Sequence, residues 1–147
     1  MTDAKAFIGW LDGQKPVAKN KMMGTQGYCM GGPMAFRTAA AMPDRVGAVA
    51  SFHGGGLARD MPNSPHLQAA KTKAQFLVAI ADNDDKRAPN DKTTLKETFE
   101  KAKLAAEIEV YAGAAHGWRP PDSGVYNEPL AEKAWGRLLS LYGKALV

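Results

Sequence analysis

At 147 residues, 45% hydrophobic and 23% charged, the chain is long enough to bury one globular core, and no apolar run in it approaches the length that crosses a bilayer. Its net charge of +4 comes from nineteen basic residues scattered along the sequence without aromatic interleaving, which argues against a nucleic-acid surface. A single cysteine forbids an internal disulfide, and the first ten residues lack a signal-peptide pattern, so the reading expects a cytoplasmic protein.

Asp3 opens a helical pattern in which Ala6, Phe7, Trp10 and Leu11 share a face, and Asp12-Gly13 with Lys15-Pro16 ends it. Lys21 to Tyr28 follows as a strand. Gly27-Tyr28-Cys29-Met30-Gly31 then reads G-x-C-x-G, the spacing of the G-x-S-x-G nucleophile elbow with cysteine in place of serine. In that motif a strand ends in a sharp turn, the nucleophile sits strained at its tip, and a helix starts at once. Side chains at both glycine positions are expected to collide. Met30 to Met42, rich in alanine and methionine, supplies the helix. The competing reading is a glycine-rich turn around an inert, buried cysteine.

Met42 to Arg45 makes a turn, and Val46 to Phe52 is an apolar run of strand length, suited to burial on both faces of a parallel sheet. His53-Gly54-Gly55-Gly56 spells the H-G-G-G of some esterase oxyanion loops, yet that motif lies upstream of the nucleophile, and here it lies downstream. It is read as a strand-end loop lining the site, with His53 a candidate contact to substrate. Ala58 to Lys73 reads as a polar loop with at most a turn near His66, which is placed at the surface.

Ala74 to Ala81 is the next buried strand, running into an acidic loop from Asp82 to Pro89 at the strand's carboxyl end, where open α/β sheets gather functional groups. Thr93 to Lys103 is an amphipathic helix with Leu95, Phe99 and Ala102 on one face, and Glu107 to Tyr111 alternates as a strand nearer the sheet edge. That strand ends at Gly113-Ala114-Ala115-His116-Gly117-Trp118, where His116 has no packing reason to stand. Glu128 to Leu146 closes the chain as a helix whose broad stripe includes Leu130, Ala131, Ala134, Trp135, Leu138, Leu139 and Leu141.

Repeated βα alternation predicts an α/β fold, a parallel sheet with helices on both faces. Cys29, then Asp84 or Asp85, then His116 follow the order nucleophile, acid, histidine used by α/β-hydrolases. No cofactor and no metal ion are required by this chemistry.

The stretches G-Y-C-M-G-G at Gly27 to Gly32, A-D-N-D-D at Ala81 to Asp85 and G-A-A-H-G-W at Gly113 to Trp118 resemble the dienelactone hydrolase family over essentially the whole chain. The resemblance implies Cys29 as nucleophile, Asp84 as acid with Asp85 also fitting the loop, His116 as general base, and the Met30 N–H as an oxyanion donor. Tyr28, His53 and Arg119 are the candidate substrate contacts, Arg119 standing one position from where the family's carboxylate-binding arginine falls. The implied activity is hydrolysis of small esters or lactones through a thioester.

The family begins with several strands and a helix ahead of the elbow, so residues 1–147 are read as a single α/β-hydrolase domain incomplete at its N-terminus. The part expected to be missing carries the second oxyanion donor, an acidic residue that meets the resting cysteine and a second arginine. Its loss would leave Lys21 to Tyr28 at an open edge, and pairing with another copy there is expected. Two other readings stay open: a cysteine-elbow enzyme of the DJ-1 or glutamine amidotransferase type, and a non-catalytic remnant serving binding or assembly. A small-molecule substrate is the expected partner besides another copy, and neither a membrane nor a nucleic acid is expected.

Overall fold

The computed structural model describes residues 1–146. Strands β1 (Met23–Tyr28), β2 (Val46–Phe52), β3 (Gln75–Ala81) and β4 (Ala106–Tyr111) form one parallel sheet in the order β1-β2-β3-β4. Parallel neighbours cannot be joined by hairpins, so the chain crosses over a face of the sheet between each pair. Around it lie α1 (Thr2–Asp12), α2 (Gly31–Ala41), α3 (Pro65–Ala69), α4 (Asp82–Arg87), α5 (Asp91–Lys101) and α6 (Glu128–Ala145). Every residue of β2 is buried, which is why that strand is apolar without alternation.

The alternation of side chains along the strands divides the core in two. On one face Ala48, Ala50, Phe52, Leu77 and Ala79 meet Ala131, Ala134, Leu138 and Leu141 of α6. On the other, Val49, Phe76 and Val78 meet Ala35, Phe36 and Ala39 of α2 and Leu95 and Phe99 of α5, and Val46 joins them beyond a register shift opposite Met23 and Gly24. The Phe76 ring joins both helices, with centroids 5.2 Å from Phe36 and 4.7 Å from Phe99. The expected α/β architecture with helices on both faces is what the chain adopts.

Helix α6 spans the sheet from edge to edge. Lys133 and Arg137 form ion pairs with Glu109 and Glu107 of β4. At the opposite edge Tyr142 lies over Gly24 of β1, where a Cβ would come within 2.5 Å of its ring, and its hydroxyl donates to Gln26 Oε1 at 2.9 Å. Trp135 and Leu139 share the Tyr142 side of the helix by their spacing, and both are exposed rather than part of the buried stripe. The predicted stripe is therefore wider than the surface the sheet covers.

Three further expectations change. The acidic stretch after β3 is helical, because Asp82, Asp84 and Asp85 occupy the positive first turn of α4 and Lys86 and Arg87 its last. His66 is only 5% exposed, held by a 2.7 Å hydrogen bond to Ser64 Oγ within the short helix α3. In α1 the residue that packs inward is Ile8, while Phe7 and Trp10 are 67% and 65% exposed. Helical spacing groups apolar residues but does not say whether a neighbour stands beside them, and among the described residues none covers this pair.

Candidate active site

The end of β1 is bent hard. Cys29 has φ +52°, a left-handed backbone that costs a side-chain-bearing residue roughly 1–2 kcal/mol and persists only where neighbours enforce it. Gly27 is indispensable to the turn, since a Cβ there would lie 2.0 Å from the Gly31 carbonyl oxygen. The second expected collision is at a different glycine. Gly31 has open space around it, whereas a Cβ on Gly32 would meet Ser51 Oγ at 2.3 Å and Gly54 Cα at 2.9 Å. The start of α2 thus presses against the loop that follows β2.

The turn leaves Cys29 exposed. His116, on the loop after β4, brings Nε2 to 3.2 Å from Cys29 Sγ and Nδ1 to 2.7 Å from Asp84 Oδ2. Three strand ends therefore supply the three groups, all at the carboxyl side of the sheet. Asp85 points elsewhere, both its oxygens accepting from Lys92 Nζ at 2.8 and 2.7 Å, and Asp82 pairs with Lys86. The geometry thus puts Asp84, not Asp85, on the imidazole.

The loop carrying His116 is itself tied down. The Asp82 N–H donates to Ala114 O at 2.9 Å, and the His116 N–H donates to Asn83 Oδ1 at 2.9 Å. Asn83 belongs to no motif that would single it out in the sequence. Its only visible signal was an uncharged side chain set among aspartates in the acidic stretch.

The electrostatics follow from these contacts. The hydrogen bond with His116, then the Met30 N–H, hold the Cys29 thiol below its ordinary range against a smaller opposing effect of burial. For His116 burial is the largest single influence and pulls downward, yet the hydrogen bonds to Asp84 and Cys29 outweigh it and the imidazole is raised. A thiolate facing an imidazolium is the arrangement both shifts favour.

Of the other candidates, Tyr28 stacks on Phe52 with centroids 5.1 Å apart. The Arg119 guanidinium lies 4.4 Å from the Phe52 ring centroid and 5.6 Å from that of Tyr28. Its Nε and Nη1 are buried without a partner among the described residues. Arg119, Tyr28, Pro120 and Pro121 line an open groove of about 280 Å³. His53 does not face solvent: it is 4% exposed and accepts a hydrogen bond at Nδ1 from the Cys29 N–H at 3.2 Å. Among the described residues, no group of three or more His, Cys, Asp or Glu side chains could hold a metal ion, and no helix is long and apolar enough to cross a membrane.

Residues 1–146 match the model of the dienelactone hydrolase family. A protein of Aquifex aeolicus provisionally named a carboxymethylenebutenolidase is 25% identical over 78% of this chain and 48% of its own length. A protein of the same provisional name from Synechocystis is 27% identical over 97% of this chain and 58% of its own. The chain thus spans about half the length of the curated relatives it matches. A crystal structure of a provisionally assigned dienelactone hydrolase from Klebsiella pneumoniae superposes with a TM-score of 0.81 at 23% identity, over 97% of this chain and 59% of that one, a likeness of fold.

Proposed function

Since the chain belongs to the dienelactone hydrolase family, we propose that it cleaves ester or lactone bonds of small substrates, with Cys29 as nucleophile, His116 as general base and Asp84 as the carboxylate that orients it. The observation that carries this reading is one imidazole bridging a thiol at 3.2 Å and a carboxylate at 2.7 Å. The family match removes support for the amidotransferase alternative.

In this mechanism His116 holds the thiol proton and the Cys29 thiolate attacks the substrate carbonyl carbon. The carbonyl π pair moves to oxygen, where the Met30 N–H stabilises the developing charge. Each such donor is worth on the order of 3 kcal/mol in comparable hydrolases. The tetrahedral adduct collapses, the C–O bond to the leaving group breaks, and the alkoxide takes the proton from His116. Water, deprotonated by the same imidazole, then attacks the thioester, releasing the acid and regenerating the thiol. Asp84 holds the ring so that Nε2 faces the sulfur throughout.

Two further contacts suit a substrate with a carboxylate. Arg119 borders a groove open to solvent, where its guanidinium would offer a substrate carboxylate an opposite charge. Tyr28 would lie under the substrate's planar part. Incubation with 4-nitrophenyl acetate followed by intact-mass measurement tests the reading. Release of nitrophenol together with an acetyl mass on Cys29, absent from Cys29→Ala, supports it. A chain that stays unacetylated and inactive would instead favour a binding or assembly role.

A further inference from the structure

His53 is held in a conformation that a histidine does not adopt freely. Its φ is +42°, it follows the last residue of β2, and its own N–H donates to Ala79 O on β3 at 2.8 Å. Its ring is buried against three aromatic neighbours. Centroids lie 4.7 Å from His116 in an edge-on contact at 61°, 5.2 Å from Trp118, and 6.1 Å from Tyr28. Nothing in the packing alone requires a histidine there.

One ring nitrogen, Nδ1, supplies the requirement. The Cys29 N–H, already donating to Phe52 O at 3.1 Å, also donates to His53 Nδ1 at 3.2 Å. A backbone amide can only donate, so Nδ1 must be the acceptor and the proton of the neutral ring sits on Nε2, which is buried without a partner among the described residues. The loop beyond His53 reinforces this contact, since Gly54 lies where a Cβ would be 3.5 Å from Cys29 O and 3.2 Å from Gly32 Cα. The elbow and the residue 53 turn, both in left-handed backbone, lock one another.

We propose that His53 is a positioning residue for the Cys29–His116 pair: its Nδ1 anchors the elbow amide and so fixes where the Cys29 sulfur meets His116 Nε2. The inference rests on the reading of Cys29 and His116 given above and assigns His53 no contact with substrate. The groups acting on the ring by charge are His116, Asp84 and Arg119, and the titratable Cys29 and Tyr28 also lie beside it. Burial first, and then His116, press His53 down to about 4, so Nδ1 remains an acceptor throughout the neutral range.

The role separates from mere filling of space by two substitutions. His53→Phe keeps the ring and removes the acceptor. His53→Asn keeps an acceptor oxygen near the position of Nδ1 and tolerates left-handed backbone. Iodoacetamide alkylation of Cys29 across pH is the readout. His53→Phe is expected to slow the reaction at neutral pH about ten-fold and to move the thiol midpoint up by about one unit, while His53→Asn stays within about three-fold of the parent. A phenylalanine variant that reacts like the parent, or an asparagine variant as slow as phenylalanine, overturns the proposal. Should either variant fail to fold, ¹⁵N NMR of the parent decides: the Nε2–H tautomer is expected, and an Nδ1–H tautomer refutes the bond. Alkylation is read without any ester, so a chain with a reactive thiol and no ester turnover would refute the proposed function and leave this inference standing.

Discussion

Asp84 and His116, 32 residues apart in sequence, meet through a 2.7 Å contact between Oδ2 and Nδ1. Asp84 raises the imidazole, and the raised imidazole depresses the Cys29 thiol; the direct repulsion between Asp84 and the thiolate is a smaller opposing effect. Thiol reactivity should therefore persist to pH values where an ordinary cysteine is protonated. Asp84→Asn removes the support for the imidazolium, and alkylation near pH 6 is expected to slow about ten-fold, one unit of thiol pKa. Asp85→Asn, which breaks only the contact with Lys92, should leave the profile in place. A larger loss in the Asp85 variant would reassign the carboxylate.

Cys29→Ala is expected to lower hydrolysis of activated esters by on the order of 10³-fold or more, with Cys29→Ser keeping a trace because its hydroxyl gives up a proton less readily. Initial rates with 4-nitrophenyl acetate check this. Turnover in the alanine variant equal to the parent's would remove Cys29 from the mechanism.

The two glycines of the elbow should behave differently. Gly27→Ala drives a methyl into the Gly31 carbonyl and is expected to destabilise the chain by about 3 kcal/mol or prevent folding. Gly31→Ala, in open space at the first residue of α2, should change stability by less than about 0.5 kcal/mol. Urea denaturation of both variants reads the contrast directly.

Arg119→Leu retains apolar packing over Phe52 and removes the guanidinium charge. For esters bearing a second carboxylate, KM should rise by about ten-fold or more; for neutral esters it should barely change. Equal effects on both substrate classes would reduce Arg119 to a structural part.

β1 is the end strand of the described sheet, and the Trp135–Leu139 ridge of α6 stands exposed on that side. Unpaired strand edges beside apolar surface recruit other chains. The isolated chain is expected to self-associate, with Trp135→Glu and Leu139→Lys together shifting it toward monomer in multi-angle light scattering. A parent that is monomeric at all concentrations, with amides of Met23 to Tyr28 strongly protected from exchange, would show the edge to be closed.

Much of this architecture was legible in the chain because its signals are local. A glycine pair around a cysteine, an all-apolar Val46–Phe52 and a histidine stranded among small residues need no partner to be noticed. What was not legible depends on partners. The choice of Asp84 over Asp85 is made by Lys92, whose ammonium captures the second carboxylate from the following helix. His66 looked like a surface residue because Ser64 reveals itself as its partner only once α3 has formed. His53 was noticed for the glycines after it, yet its hydrogen bond runs backward to Cys29, a pairing that the approach of Gly32 to Gly54 makes possible.

The exposed, acid-shifted sulfur at the elbow carries a vulnerability along with its reactivity. Peroxide attacks thiolates, and the first product, a sulfenic acid, is rescued in many proteins by a neighbouring thiol that closes a disulfide. Cys29 is the single cysteine in the 147 residues, so no second thiol among them can do so. Unless an external thiol caps it, each further oxidant molecule carries the sulfur toward sulfinic and sulfonic acid, beyond ordinary reductants. A serine elbow would escape that fate. Loss of iodoacetamide labelling under dilute peroxide, recoverable with dithiothreitol only at early times, is the behaviour expected of this thiol.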